Sequence, residues 1–200
     1  MQAEWEGIAR DILESTGCDD PPVDAFELAA CCGLRVVAKS GNAFICGNTI
    51  RVDMRSRRVR QHGDVAHEIG HWALGQAGAD NTEEGATYVA GALLLPRLRF
   101  NSDLRETWDL HEPMRRHPNA SAEAIARRIC AMRSTIASVW DHHREPLLLG
   151  RRRAAAPMLR EAEIVELARM AGEPQRLGNA HAWLLPERPW RRVVVVLEAA

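Results

Sequence analysis

Lysine, long apolar runs and paired cysteine motifs are scarce or missing in this 200-residue sequence. Lys39 is its one lysine, so the basic side chains are almost all arginine. The formal net charge is -1, which gives no overall field that would draw the chain to nucleic acid or a membrane. Direct nucleic-acid binding is therefore not expected.

Neither a membrane span nor a secretory signal is predicted. The longest apolar run, residues 193–197, is far too short to cross a bilayer. Residues 1–17 carry charged side chains throughout, whereas a secretory signal needs an uninterrupted apolar stretch. We therefore expect a cytoplasmic protein that does not enter membranes.

The cysteine pattern excludes a disulfide framework and a thiolate zinc cluster. The five cysteines are odd in number and include no CxxC pair. In a cytoplasmic chain this pattern predicts free, mostly buried thiols. The five are Cys18, Cys31, Cys32, Cys46 and Cys130.

What is present is the composition of an ordinary globular protein, with 46% hydrophobic and 26% charged residues. Apolar periodicity and turn residues predict a mixed order of helices and strands. Helices are expected over residues 1–17, 23–32, 61–75, 83–95, 121–132 and 159–170. Strands are expected over 34–38, 43–46, 49–53, 136–140, 147–149 and 193–197, with a basic connection over 55–60 and a linker over 113–120.

One motif carries chemistry: residues 67–71 read HEIGH, an HExxH pattern on a predicted helix. His67 and His71 are four residues apart, so both imidazoles lie on one helical face and can reach one metal ion. Glu68 lies at the rim of that face, where its carboxylate can take a proton from the attacking water. The pattern predicts a zinc-dependent peptidase.

The surrounding helix fits this interpretation. Val65, Ile69 and Trp72 cluster on the side away from the histidines, which predicts an apolar back for the core and a histidine front for a cleft. Gly70 is expected to keep the front uncrowded.

A catalytic zinc ion takes three protein ligands and keeps one position open. The next predicted helix begins with Glu83 and Glu84, and a short loop lets it fold back beside the first. Either glutamate is a candidate third ligand on this reasoning. Gly85 and Gly91 are expected to allow close approach of the two helices.

These residues resemble the ImmA/IrrE metallopeptidase family, whose pattern is HE(L/I)GH, a glutamate-led helix and then LLMP. Residues 93–96 read LLLP, and counting back from Pro96 aligns Glu83 with the pattern glutamate. The resemblance therefore favours Glu83 over Glu84. The chain departs from the pattern at Thr87, Val89 and Leu95.

The resemblance implies an α+β fold with a zincin-like core of helices on a small, mainly antiparallel sheet, followed by a C-terminal α/β segment. The expected domains are residues 1–118, the metallopeptidase domain, and 119–200, a C-terminal helix plus a strand-rich accessory segment. It also implies a Zn²⁺ endopeptidase that cleaves a helix-turn-helix repressor of the Xre type, carried on a separate chain. Such cleavage serves stress or mobile-element regulation.

Two other functions fit the same residues. The first is a regulator that binds its partner on this fold without cutting it, although such a protein has no need of Glu68. The second is a DNA-binding regulator that uses the helix 121–132, where Arg127, Arg128 and Arg133 provide only a small basic surface.

Overall fold

The protein is an α+β molecule, as predicted. Its structure, a computed structural model, describes residues 1–106, 110–133, 135–141, 147–149, 158–185 and 192–197. The chain forms two compact units, Met1–Thr107 with Pro113–Ser121, and Trp108–Glu112 with Ala122–Ala200. The functional division into domains 1–118 and 119–200 stays a prediction.

The first unit combines helices with a small sheet. Its elements in chain order are α1 (Gln2–Thr16), α2 (Ala25–Cys31), β1 (Arg35–Ala38), β2 (Phe44–Cys46), β3 (Thr49–Val52), α3 (Arg58–Gln76), α4 (Glu83–Leu94) and α5 (Arg97–Glu106). Local signals set several of their ends. Gly17 ends α1 in the left-handed conformation at φ 69°, and the Asp24 side chain accepts the first N–H groups of α2.

The three-stranded sheet has the order β1-β3-β2. The β2 strand is antiparallel to β3, whereas β1 is parallel to it, so only one of the two pairings is antiparallel. Ile50 and Val52 are fully buried on β3, which packs against α3. Among the strands of the described residues, β2 is therefore an edge strand of this sheet, paired only with β3.

The helices α3 and α4 pack closely against each other at Gly70. A Cβ placed on Gly70 would lie 2.6 Å from the carbonyl oxygen of Ala86, a backbone atom that cannot move aside. Gly70 is therefore needed for the approach of the two helices, and the expectation that it keeps the histidine front open is wrong. Gly91, expected to serve helix approach, has open space around its Cβ position, whereas Gly85 meets the side chains of Leu74 and Trp5.

The second unit is built on a five-stranded antiparallel sheet of order β5-β4-β8-β7-β6. Ile164, Val165 and Ala168 on one helix pack against the apolar side chains of the central strands. The elements are α6 (His111–Arg116, which begins in this unit and ends in the first), α7 (Ala122–Met132), β4 (Ile136–Trp140), β5 (Leu147–Leu149), α8 (Met158–Ala171), β6 (Gln175–Leu177), β7 (Ala180–Leu184) and β8 (Val193–Leu197).

Some predicted boundaries were wrong. The helix expected from residue 61 begins at Arg58, within the predicted basic connection. Residues 113–116 of the linker expected over 113–120 belong to α6. This helix tolerates Pro113 because the proline lies in the first turn, where it needs no helical N–H partner. The helix α5 and the hairpin β6–β7 were not predicted.

The thiols are free, as expected, but they are not mostly buried. Cys31 and Cys46 are exposed and the other three are half-buried. Within the described residues, none of the helices is long and apolar enough to span a membrane.

Replacing Gly70 with alanine should destabilise the first unit by about 1–3 kcal/mol, because the added Cβ forces α3 and α4 apart. Gly63→Ala in the same helix is the matched control, since its Cβ meets open space. That variant should gain up to about 1 kcal/mol from the higher helix propensity of alanine. The urea concentration at the unfolding midpoint reports the stability of each variant relative to wild type. Equal stability of the two variants would contradict a close contact at Gly70.

Candidate metal centre and catalytic cleft

The helix α3 presents His67 and His71 on one face, as the HExxH spacing predicts. Their side chains are 27% and 18% exposed, so both reach solvent from a partly buried position. Val65 and Ile69 are fully buried on the opposite side, and this burial fixes the rotation of the helix. The imidazole rings meet edge to face with centroids 4.8 Å apart.

The first turn of α4 brings Glu83 to the two histidines. The Thr82 hydroxyl accepts the N–H of Gly85 at 3.1 Å and so caps this helix. Glu83 Oε2 lies 3.2 Å from His67 Nε2, and Glu83 Oε1 lies 3.4 Å from His71 Nε2. The two Nε2 atoms are 3.1 Å apart.

This donor set fits a metal ion. Two imidazoles and one carboxylate supply the ligand types of a catalytic zinc site with one open position. Donors about 2.0–2.1 Å from a tetrahedral ion lie about 3.3 Å from one another, close to the three separations observed. His67, His71 and Glu83 could therefore hold one ion, since each offers a ligand atom within 4.8 Å of the others.

The alternative third ligand, Glu84, does not join this group, although it is exposed in the same helical turn. A neighbour that the sequence interpretation missed is Asn81, in the loop between α3 and α4. Its Oδ1 lies 2.7 Å from His71 Nδ1. An Nδ1–H that donates to Asn81 leaves the Nε2 lone pair directed at Glu83 and the metal position.

Glu68 lies on the same helix but in a different environment. It is only 6% exposed, and it lines the cleft without joining the ligand group. Burial raises the pKa of this carboxyl above its ordinary value, while His67, His71 and a hydrogen bond from the Ile45 N–H lower it. The edge strand β2 thus orients the carboxylate through a backbone donor, which no residue motif in the sequence reveals.

The cleft has a volume of about 510 Å³ and opens to solvent. One wall is the segment 42–45, which leads into the edge strand β2. Arg60 and Asp64, paired at 3.6 Å, lie on another wall. Burial raises the pKa of Asp64, and the Arg60 charge opposes this shift.

Three further histidines and Tyr88 do not line the cleft. His62 is buried beneath α2, where its Nδ1 accepts the N–H of Ala25 at 3.2 Å, and burial lowers its pKa. His117 is buried against Asp103, and His111 contacts the carbonyl of Leu184. Tyr88 donates to Glu6.

The helix α7, considered for DNA recognition, has little free positive charge. The Arg128 side chain is buried, and Arg127 pairs with Glu123 one turn away at 2.9 Å. A recognition helix needs exposed side chains that can reach base edges.

Comparison with known proteins agrees with the fold and the motif. The sequence model of Peptidase_M78, described as the IrrE N-terminal-like domain, matches residues 33–130. No curated protein sequence matches the chain significantly. Among solved structures, a Mycobacterium tuberculosis transcriptional regulator has a similar fold, with a TM-score of 0.67 and 15% sequence identity. That match covers 98% of this chain and 75% of the regulator.

The predicted resemblance to the ImmA/IrrE family is thereby confirmed, and so is the α+β fold. The matched segment contains the HExxH motif, Glu83 and the LLLP sequence on which the resemblance rested. Residues 33–130 of this chain therefore match the family model of the IrrE N-terminal-like domain.

Proposed function

We propose that the protein is a zinc-dependent endopeptidase in which Glu68 is the general base. The observation that carries this proposal is the triangle of donor atoms from His67, His71 and Glu83 beside the buried Glu68 carboxylate. If His67, His71 and Glu83 only stabilised the fold, the Glu68 carboxylate would not need to line the same cleft. The match to a peptidase family supports the same reaction class.

A bound zinc ion would lower the pKa of water and polarise the carbonyl of the scissile bond. The chain's own residues do the remaining work. Glu68 takes the proton from the attacking water and passes it to the leaving nitrogen. The hydrogen bond from the Ile45 N–H keeps the Glu68 carboxylate aimed at the cleft.

The cleft suits a segment of extended polypeptide. The cleft is open to solvent, and an endopeptidase needs an open site because its substrate chain continues beyond the scissile bond. The wall at 42–45 belongs to the edge of the sheet, where an extended peptide can add its backbone hydrogen bonds. We therefore propose that a flexible segment of another protein is the substrate.

The partner we propose is a helix-turn-helix repressor of the Xre type on a separate chain, whose cleavage would act in stress or mobile-element regulation. The ImmA/IrrE family relationship supports this choice. The alternative is a regulator that binds such a partner without cutting it. It is favoured by the fold's likeness to a transcriptional regulator, whereas the buried and oriented Glu68 favours cleavage.

Glu68→Gln should keep zinc and lower cleavage by about 10²–10⁴-fold, because an amide cannot accept the proton. The assay incubates zinc-loaded protein with a bacterial proteome that contains Xre-type repressors and identifies new protein N-termini by mass spectrometry. Wild type should produce a defined set that the variant lacks. If both produce the same set at the same rate, Glu68 is not the base.

Glu83→Ala should weaken zinc binding by more than about 100-fold, since it removes a ligand rather than a neighbour of a ligand. Glu84→Ala is the matched control, because it removes the same charge from the same exposed helical turn. Competition with a chromophoric zinc chelator measures both affinities. The ligand assignment fails if Glu84→Ala weakens binding as much as Glu83→Ala does.

Asn81→Ala should weaken zinc binding by about 10–100-fold, because His71 loses the acceptor that fixes its ring orientation. Asn81→Asp retains an acceptor oxygen and should restore most of the affinity. Competition with the same zinc chelator measures the zinc affinity of both Asn81 variants. Wild-type affinity in Asn81→Ala would show that His71 is positioned without this contact.

A further inference from the structure

Two thiols of the first unit are in contact, away from the cleft. Cys18 Sγ and Cys31 Sγ are 3.7 Å apart. Cys18 follows the end of α1 by two residues, and Cys31 is the last residue of α2. Cys31 is exposed and Cys18 is half-buried, so small oxidants reach the pair from solvent.

We propose that Cys18 and Cys31 form a reversible redox site, which a peroxide oxidises to a disulfide. This goes beyond the proposed peptidase activity and does not depend on it. The two sulfurs are close enough that rotation about the side-chain bonds, with a small shift of two helix ends, brings them to bonding distance. Among the cysteines of the described residues, this is the pair in direct sulfur contact.

The contact between the two sulfurs also changes the pKa of Cys31. Contact with Cys18 raises the pKa of Cys31, and the nearby Glu27 charge adds to the effect. The thiolate is the reactive form, so the sulfur that gives up its proton attacks the peroxide and the other sulfur closes the disulfide.

The reaction balances in two steps. One sulfur of the pair attacks one oxygen of hydrogen peroxide, the O–O bond breaks, and a sulfenic acid and one water form. The other sulfur then attacks the sulfenic sulfur, the S–O bond breaks, and the disulfide and a second water form. Two thiols are oxidised and one peroxide is reduced. A thiol reductant reverses the product by exchange.

The neighbouring thiol, Cys32, serves as an internal comparison. Burial raises its pKa to about 11, so it stays protonated at neutral pH. It is adjacent to Cys31 in the chain but is not in sulfur contact with Cys18.

The disulfide would join two helices that support the cleft. The α1 helix packs against α4, which carries Glu83, and α2 packs against α3, which carries the histidines. A covalent bond between the ends of α1 and α2 restricts the unfolded chain while leaving these contacts in place. Oxidation should therefore raise the thermal stability of the first unit.

The first experiment treats the reduced full chain with hydrogen peroxide and maps cross-links by mass spectrometry without reduction. Cleavage after arginine and glutamate separates the peptide 15–27, which holds Cys18, from 28–35, which holds Cys31 and Cys32. The two peptides should appear joined, with the loss of two hydrogen masses, and should separate after reduction. Cys31→Ser should abolish the cross-link and Cys32→Ser should keep it.

The proposal is overturned if peroxide yields only sulfinic or sulfonic acids, or if the cross-link survives in Cys31→Ser. A second measurement compares thermal unfolding midpoints of the oxidised and reduced forms. The oxidised wild type should gain about 5 °C or more, whereas Cys18→Ser should show no difference between the two treatments. An equal midpoint for oxidised and reduced wild type would also overturn the proposed linkage.

Discussion

The contact between Gly70 on α3 and Ala86 on α4 determines where Glu83 lies relative to the two histidines. Because the two backbones touch at this point, the first turn of α4 passes directly beside the exposed face of α3. Thr82 is the N-cap of α4, so Glu83 is the first residue of the helix. Its carboxylate therefore lies in the cleft beside the two histidines. The donor triangle follows from helix packing and from one glycine that permits it.

A second feature of the cleft is that its two glutamates lie in different environments. Glu83 is exposed and lies between the imidazoles, whereas Glu68 is buried on the same helix as the histidines and receives the Ile45 N–H. Desolvation raises the pKa of Glu68. The exposed Glu83 carboxylate is available to bind a metal ion. Their environments therefore match a base and a ligand.

The sequence predicted the parts of this site that depend on local periodicity. His67, Glu68 and His71 lie on one helix, and burial of Val65 and Ile69 opposite them follows from helical spacing alone. The roles of Asn81 and the Ile45 N–H could not be predicted, because one lies in a loop and the other is a backbone group on an edge strand. The parallel pairing of β1 with β3 likewise depends on chain topology, which short strand signals do not specify.

The most direct test of the account is a crystal structure of the zinc-loaded protein with anomalous scattering measured at the zinc edge. We expect one ion about 2.0–2.2 Å from His67 Nε2, His71 Nε2 and a Glu83 carboxylate oxygen, with Glu68 facing the open position. An ion bound elsewhere, or one held by Glu68 or Glu84 in place of Glu83, would contradict the central claim.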